Sequence, residues 1–474
     1  MAAEKPKTKT RKRTPTAKKT DGRGSNPSRE ILDLKAAADA ARLAYDYSTA
    51  VEEYARALES GRQRQGGLDP AMEYELLSGR AICYEYLGTI PAEIADLEAM
   101  AKLAEGMDDL ERRIQVANRQ VEPVGQVGRG AEVVKAAESL AALSRKTGDK
   151  KLQADSLTAL ANAYQNIEDV PNGTLYAEQA LDMYRELGDR HGEAICLHLL
   201  GGIDAVVGRP EEARERFTQA LAVFRAIGDR KRESRTLSAL SIYTGDQAAK
   251  RTLGEASLAI SVAIKDHVGQ GREYNNLGLL YSHLGLYDTA LKYTEKAVET
   301  ARARGARSHL SYYGESHGRI LLDLGEIDRA REAFEEVIRV AHEVKSRYTE
   351  GYGELGLGRV LFAQERPDDA LDHLKIARQR YEELNTPVEV ATTLAFMGPV
   401  YFALGDPIAA EEATSEAVKV LEAAGDVSGD YPPQGLWWLR YQVLKELGGA
   451  RGSKKGGKGA PGGDGAATPV SDQA

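Results

Sequence analysis

Aromatic bulk and cysteine are scarce in this 474-residue chain, which holds two Trp, six Phe and two Cys. Tyr, at 22, makes up most of the 6% aromatic content, which argues against one bulky core and suits thin two-helix layers in which Ala does much of the close packing. Cys83 and Cys196 fall inside predicted helices far apart in the chain. That spacing supports neither a disulfide framework nor a zinc site, and buried free thiols are the expectation. No window reaches the roughly 18 uninterrupted apolar residues of a membrane span. The first apolar run begins only at Ile31, so the core of a secretory signal is also missing. A soluble, cytoplasmic protein is expected.

Reactive groups in a convergent pattern are missing as well. The run GSKKGGKG (452–459) fits the first seven places of a phosphate-binding loop but ends in Gly459, where Ser or Thr should reach a magnesium ion, and no strand precedes it. His191, Cys196 and His198 cluster in RHGEAICLHLL, yet one helix cannot turn all three toward one metal. His309 and His317 carry no HExxH-type pattern. Glu and Lys or Arg neighbours such as Glu295 and Lys296, or Glu335 and Arg339, read as solvated helix faces. No enzyme activity, cofactor or metal is expected.

Charge is present but unevenly placed. Residues 1–29 hold ten Lys/Arg against Glu4 and Asp21, a net of +8, and residues 449–474 hold four against two, a net of +2. The formal total of −9 then leaves −19 on residues 30–448. The basic stretch 1–29, rich in Lys, Thr and Pro without apolar periodicity, buries too little to offset its ordering entropy and is expected to be disordered. The Gly-rich stretch 449–474 fails for the same reason.

Between these tails runs a repeat. Gly278, Gly318, Gly358 and Gly398 are 40 residues apart, and so are Ala81, Val121, Ala161, Gly201 and Ser241. The two series differ by a three-residue slip near TGDQAAK (244–250), where the link between paired helices is expected to be shortened. Apolar residues recur at three- and four-residue steps, as in Leu277, Leu280, Tyr281 and Leu284, which predicts a helix with one packing stripe. Gly208, Gly285, Gly325 and Gly405 allow the first helix of a pair to end in positive φ. Ala213, Ala290, Ala330, Ala370 and Ala410 then open the inward face of the second. Between pairs stands Gly-Asp (148–149, 188–189, 228–229 and 425–426), where Gly ends one helix and Asp caps the next. With an N-terminal pair over 43–59, about ten antiparallel helix pairs are predicted over 30–424, all-α.

The combination Leu277-Gly278, Tyr281, Gly285, Tyr287, Ala290 and Ala297 resembles the tetratricopeptide repeat, whose standard period is about 34 residues. The period here is about six residues longer, as in the arrays of kinesin light chains, Leu-Gly-Asn-type signalling modulators and many bacterial regulators. Gly-Asp replaces the familiar closing Pro. The unit around EPVGQVGRGAEV (122–133) departs furthest, with two extra glycines and a proline, and is expected to be distorted. What the resemblance implies is a right-handed α-solenoid whose first helices line a concave groove for a peptide.

Periodicity alone gives the face of each first helix opposite its packing stripe. Its candidate ligand-binding residues are Asn162, His198, Arg235, Arg272, Asn275, Tyr312, Arg319, Tyr352 and Arg359, with Asp155, Thr158 and Gln165 beside them. Arg319 and Arg359 hold equivalent places one unit apart. A guanidinium grips a carboxylate through two parallel hydrogen bonds and an Asn amide pairs with a peptide backbone, so an acidic peptide would fit; the plainer reading pairs each Arg with a neighbouring Glu. Beyond Pro432-Pro433, a helix over 430–448 carrying both Trp residues is expected to cap the stack, or else to leave apolar surface that invites dimerisation. An interaction scaffold, in signalling or transcriptional regulation, is the leading expectation. The alternative is a nucleic-acid-associated adaptor whose Lys7, Lys9, Arg11, Lys12 and Arg13 contact phosphates. A third reading is a sensory module acting in trans on a cyclase, kinase or transcription factor.

Overall fold

A computed structural model describes residues 29–455 apart from 65, 128, 168, 305 and 425–432. Helices account for the ordered elements, and no strand occurs among the described residues. The pairs are α1 (Arg29–Leu43) with α2 (Tyr47–Arg62), α3 (Pro70–Leu87) with α4 (Ile90–Gly106), α5 (Leu110–Gln126) with α6 (Gly130–Thr147), α7 (Lys150–Asn166) with α8 (Val170–Leu187), and α9 (Arg190–Val206) with α10 (Pro210–Ile227). They continue as α11 (Arg230–Ile242) with α12 (Gln247–Ala263), α13 (His267–His283) with α14 (Tyr287–Ala303), α15 (Arg307–Asp323) with α16 (Ile327–Val344), α17 (Arg347–Ala363) with α18 (Pro367–Leu384), and α19 (Pro387–Ala403) with α20 (Pro407–Ala424), before a lone α21 (Pro433–Lys455). Each helix packs on the one before and the one after, the arrangement of a solenoid of ten pairs.

The period follows from the chemistry of the pair. Every first helix from α9 on, except α11, carries a Gly sixteen residues before the side chain that crosses it: Gly201 faces Phe217, Gly278 faces Thr294, Gly318 faces Phe334, Gly358 faces Leu374 and Gly398 faces Thr414. A Cβ at any of these would stand 2.3–3.0 Å from the opposing side chain, so the missing methyl is what lets the helices approach. Ala213, Ala290, Ala330, Ala370 and Ala410 are fully buried on the second helices, as the sequence predicts. Gly148, Gly188 and Gly228 end α6, α8 and α10 at φ 74°, 68° and 74°. Asp149, Asp189 and Asp229 follow them and accept the first free N–H groups of α7, α9 and α11. Gly425-Asp426 lies outside the described residues.

One local expectation needs correction. The slip arises in the first helix and not in the link: α11 has 13 residues where α9 and α13 have 17, and the link that follows it, 243–246, is longer than the 207–209 link after α9. The unit at 122–133 keeps two helices but is distorted, as expected: α5 packs against α7 as closely as against its own partner α6, which no other first helix among the described residues does. Pro123 sits near the end of α5, where its missing N–H costs one bond to the Arg119 carbonyl. Gly125 and Gly130 let α5 and α6 meet Asn166 and Ile167 at the end of α7.

At the C-terminal end α21 lays Leu436, Val443 and Leu447 across α19 and α20, which caps the stack. Cys83 and Cys196 are buried free thiols, both pushed up to about 12 by burial. The basic tail, with Lys7, Lys9, Arg11, Lys12 and Arg13, lies outside the described residues, as does most of the Gly-rich tail. No helix among the described residues is long and apolar enough to cross a membrane.

Candidate functional site

The groove expected from periodicity is not an open trough along its first turn. After five pairs the solenoid meets itself. The Tyr47 hydroxyl on α2 donates to the Ile264 carbonyl at 3.0 Å, and the Tyr47 ring stacks on Tyr86 with centroids 4.5 Å apart. Tyr86, at the end of α3, packs against the core formed by Phe217, Leu237 and Leu240 and lies under the Lys231 ammonium at 4.1 Å. Lys231 also pairs with Glu85, and Arg235 on α11 pairs with Glu122 on α5 at 3.0 Å. Gly88 comes so close to Val268 of α13 that a Cβ would stand 3.1 Å from it. The α2–α3 edge is thereby joined to the α11–α13 stretch by the Tyr47–Ile264 hydrogen bond, the Lys231 cation over the Tyr86 ring and the Lys231–Glu85 ion pair, and α5 is joined to α11 by Arg235–Glu122.

Inside this closure is a partly open cavity of about 1100 Å³. First helices supply most of its wall. α3 and α5 contribute Ser78, Glu85, Tyr86, Gln115, Asn118, Arg119 and Glu122; α7 contributes Asp155, Thr158, Asn162 and Gln165; α9, α11 and α13 contribute His198, Lys231, Arg232, Arg235 and Arg272. Four of the nine residues singled out by periodicity, Asn162, His198, Arg235 and Arg272, therefore meet in one place.

The potential inside is positive toward α11 and α13. Arg235, with Lys231 and Arg272 nearby, holds the Glu122 carboxyl down to about 2. Burial, assisted by Arg235, Arg232 and Arg272, pushes the His198 imidazole down to about 3, and its Nδ1 lies 3.0 Å from the Thr236 hydroxyl. At the α4 side the balance reverses: burial, with Glu85 alongside, lifts the Glu93 carboxyl to about 8. Two guanidinium groups in the wall keep a buried nitrogen without an acceptor. Arg119 spends Nη1 on the Ser78 carbonyl and hydroxyl, and Arg272 spends Nε on Glu273, leaving Nη2 of each unsatisfied.

The other five candidates stand elsewhere. Asn275 is fully buried, and neither atom of its amide has a partner. Tyr352 is buried against Tyr348 and Tyr381, while Tyr312 is partly exposed beside Tyr313. Arg319 is buried with its Nη1 3.9 Å from Glu315, and Arg359 reaches Asp323 at 3.7 Å while lying 4.7 Å from the Phe396 ring. The two arginines thus have carboxylate neighbours and do not line the cavity. His191, Cys196 and His198 turn to different partners, His191 to Asp229 and Cys196 toward Thr158. Arg119 and Glu122 escape a reading by periodicity because the repeat pattern is weakest around α5, and Glu85 on α3 and Lys231 on α11 are not among the residues it singles out.

Models of the tetratricopeptide repeat match residues 152–226, 274–304 and 316–341. Solved structures with a similar course include the apo form of the quorum sensor NprR from B. thuringiensis (14% identity, 73% of this chain and 99% of that one, TM-score 0.56). The apo form of RapI is similar too (12% identity, 76% and 99%, TM-score 0.52). A third is a signal transduction ATPase with a tetratricopeptide repeat sensor from Pyrococcus horikoshii (14%, 89% and 65%, TM-score 0.55). No curated protein matches the sequence. The chain thus carries tetratricopeptide repeats over those residues and has the all-helical, tetratricopeptide-like solenoid fold of these structures.

Proposed function

We propose that this protein is a non-catalytic scaffold that takes an extended, acidic stretch of a partner polypeptide into the cavity closed by its first turn. The observation that carries the reading is the pair of unsatisfied guanidinium nitrogens, on Arg119 and Arg272, in a wall otherwise built of paired charges and amides. A carboxylate from a guest completes both with charge-assisted hydrogen bonds, while Asn118, Asn162 and Gln165 suit the guest's backbone. A preformed wall also reduces the ordering cost of capture. We read the role as regulatory signalling. The likeness to a quorum sensor and to the sensor of a signal transduction ATPase is one of fold, and it supports the reading to that extent.

The test is an array of immobilised peptides probed with wild type, with Arg119→Ala/Arg272→Ala, and with Arg319→Glu/Arg359→Glu outside the cavity. Acidic peptides held by the wild type should bind the first variant about 10- to 100-fold more weakly, the loss of one or two hydrogen bonds to a charged group. The second variant should bind them as the wild type does. Unchanged binding by the first variant, with its helix content intact, would overturn the assignment.

A further inference from the structure

The acidic side chains that reach the cavity wall are engaged, with one exception. Glu85 pairs with Lys231, Glu122 with Arg235, Asp155 with Lys151 and Asp229 with Arg232. Glu111 accepts from Gln115, and Asp266 from the first turn of α13. Glu93 on α4 is buried in the same wall, yet its carboxyl makes no hydrogen bond or ion pair with any described residue. Two cations stand near it and neither turns to it. Lys231 is held between Glu85 and the Tyr86 ring, and Arg119 donates to Ser78. A carboxyl this deep without a partner stays neutral until a positive charge arrives. Burial, with Glu85 on α3 and Glu122 on α5 alongside, accordingly lifts it to about 8 against the pull of Arg119 on α5 and Lys231 on α11.

We propose that the α3–α5 end of the cavity is a subsite for a positively charged group of the guest, an ammonium or a guanidinium, with the Glu93 carboxylate as its partner. The inference rests on the cavity being the place where the guest binds. Ile82, Ile90 and Val121, from the same three helices, line the wall and suit the aliphatic stem that carries such a group. A divalent metal ion fits less well, because it needs several oxygen ligands and no group of three His, Cys, Asp or Glu able to hold one occurs among the described residues. The cavity is then bipolar: guest carboxylates go to Arg119 and Arg272, and a guest cation goes to Glu93. A stretch that is acidic overall but carries one positive group is held in one orientation.

The test is calorimetric titration of full-length wild type and Glu93→Gln with short peptides of Asp, Glu, Gly and Ser. Members of each pair differ only in a free or acetylated N-terminus, or in Lys or Arg against norleucine at one interior position. At pH 8 the wild type should bind the charged member of at least one pair about tenfold more tightly, the order of one hydrogen bond between charged groups. Glu93→Gln, which keeps the shape of the neutral carboxyl, should bind both members alike. The pair that shows the preference tells whether the terminus or a side chain supplies the charge. Because the guest cation displaces a proton from Glu93, binding at pH 7 should release close to one proton, read as heat that varies with the buffer. Affinity for the charged member should rise roughly tenfold from pH 6 to pH 7, and Glu93→Gln should lose that slope. Wild type that holds acidic peptides without regard to the added charge overturns the subsite and leaves the arginine reading intact. If no acidic peptide binds, the arginine reading fails instead, and n-butylammonium chloride decides the subsite. That salt should raise the melting midpoint of the wild type and not of Glu93→Gln, and equal shifts overturn the proposal.

Discussion

Glu93 is 5% exposed in the cavity wall, and its carboxyl is lifted from 4.5 to about 8 by burial and Glu85. Between those two values the folded chain holds a proton that the unfolded chain has released, so stability falls as pH rises through that window. Glu93→Gln should therefore melt with the wild type below pH 4.5 and a few degrees above it once pH exceeds 8; matching Tm profiles throughout would refute this. Glu122 has the opposite sign. Its contribution is present above the ordinary carboxylate range and is lost only as pH falls toward 2. At this scale part of the site was readable. Glu315 stands four residues before Arg319, so their pairing was visible in the sequence as an i,i+4 neighbour. Asp323 lies 36 residues before Arg359, four places after the equivalent position in the preceding repeat and so on the opposite side from Glu315, and no i,i+4 rule pairs it with Arg359. Arg119 gave no such signal, because its unit breaks the pattern that locates the others.

Helices and their ends were the most legible element of the chain, since Gly, Asp and Ala at fixed offsets each answer one steric or hydrogen-bonding need. What periodicity left undetermined was how a deletion is absorbed. The three-residue loss was absorbed chiefly in α11, four residues shorter than α9 and α13. The two faces of α21 give an element-level prediction. Val443→Asp places a charge against Ala410 under the cap and should lower the midpoint of denaturant unfolding by several kcal/mol equivalents, about 3–5 for an uncompensated buried charge. Trp438→Ala, on the open side, should stay within about 0.5 kcal/mol of wild type. Equal losses from the two would mean that the cap is not where α21 packs.

For the whole molecule, the solenoid was legible and its closure was not. A repeat fixes how each pair sits on the next, but whether the α2–α3 edge touches α11–α13 depends on small rotations summed over five pairs, and no single residue encodes that sum. Lys231→Glu tests the contact directly, because it sets a carboxylate against Glu85 and removes the cation from the Tyr86 ring. The variant should show a larger radius of gyration in solution scattering and faster amide exchange in α3 and α11, with α17–α20 unchanged. An unaltered radius would show that other contacts hold the turn shut.

That closure also changes how the chain comes apart. In a simple stack every layer answers only to its neighbours, and melting runs inward from either end. Here a hydroxyl and a carbonyl 217 residues apart are bonded, so the layers between them are enclosed like staves within a hoop. None can leave until the hoop breaks, and then all lose it together. The first seven pairs become one cooperative block, the last three remain free to fray one by one, and a single continuous rod of helices carries two melting units with no linker to mark the border.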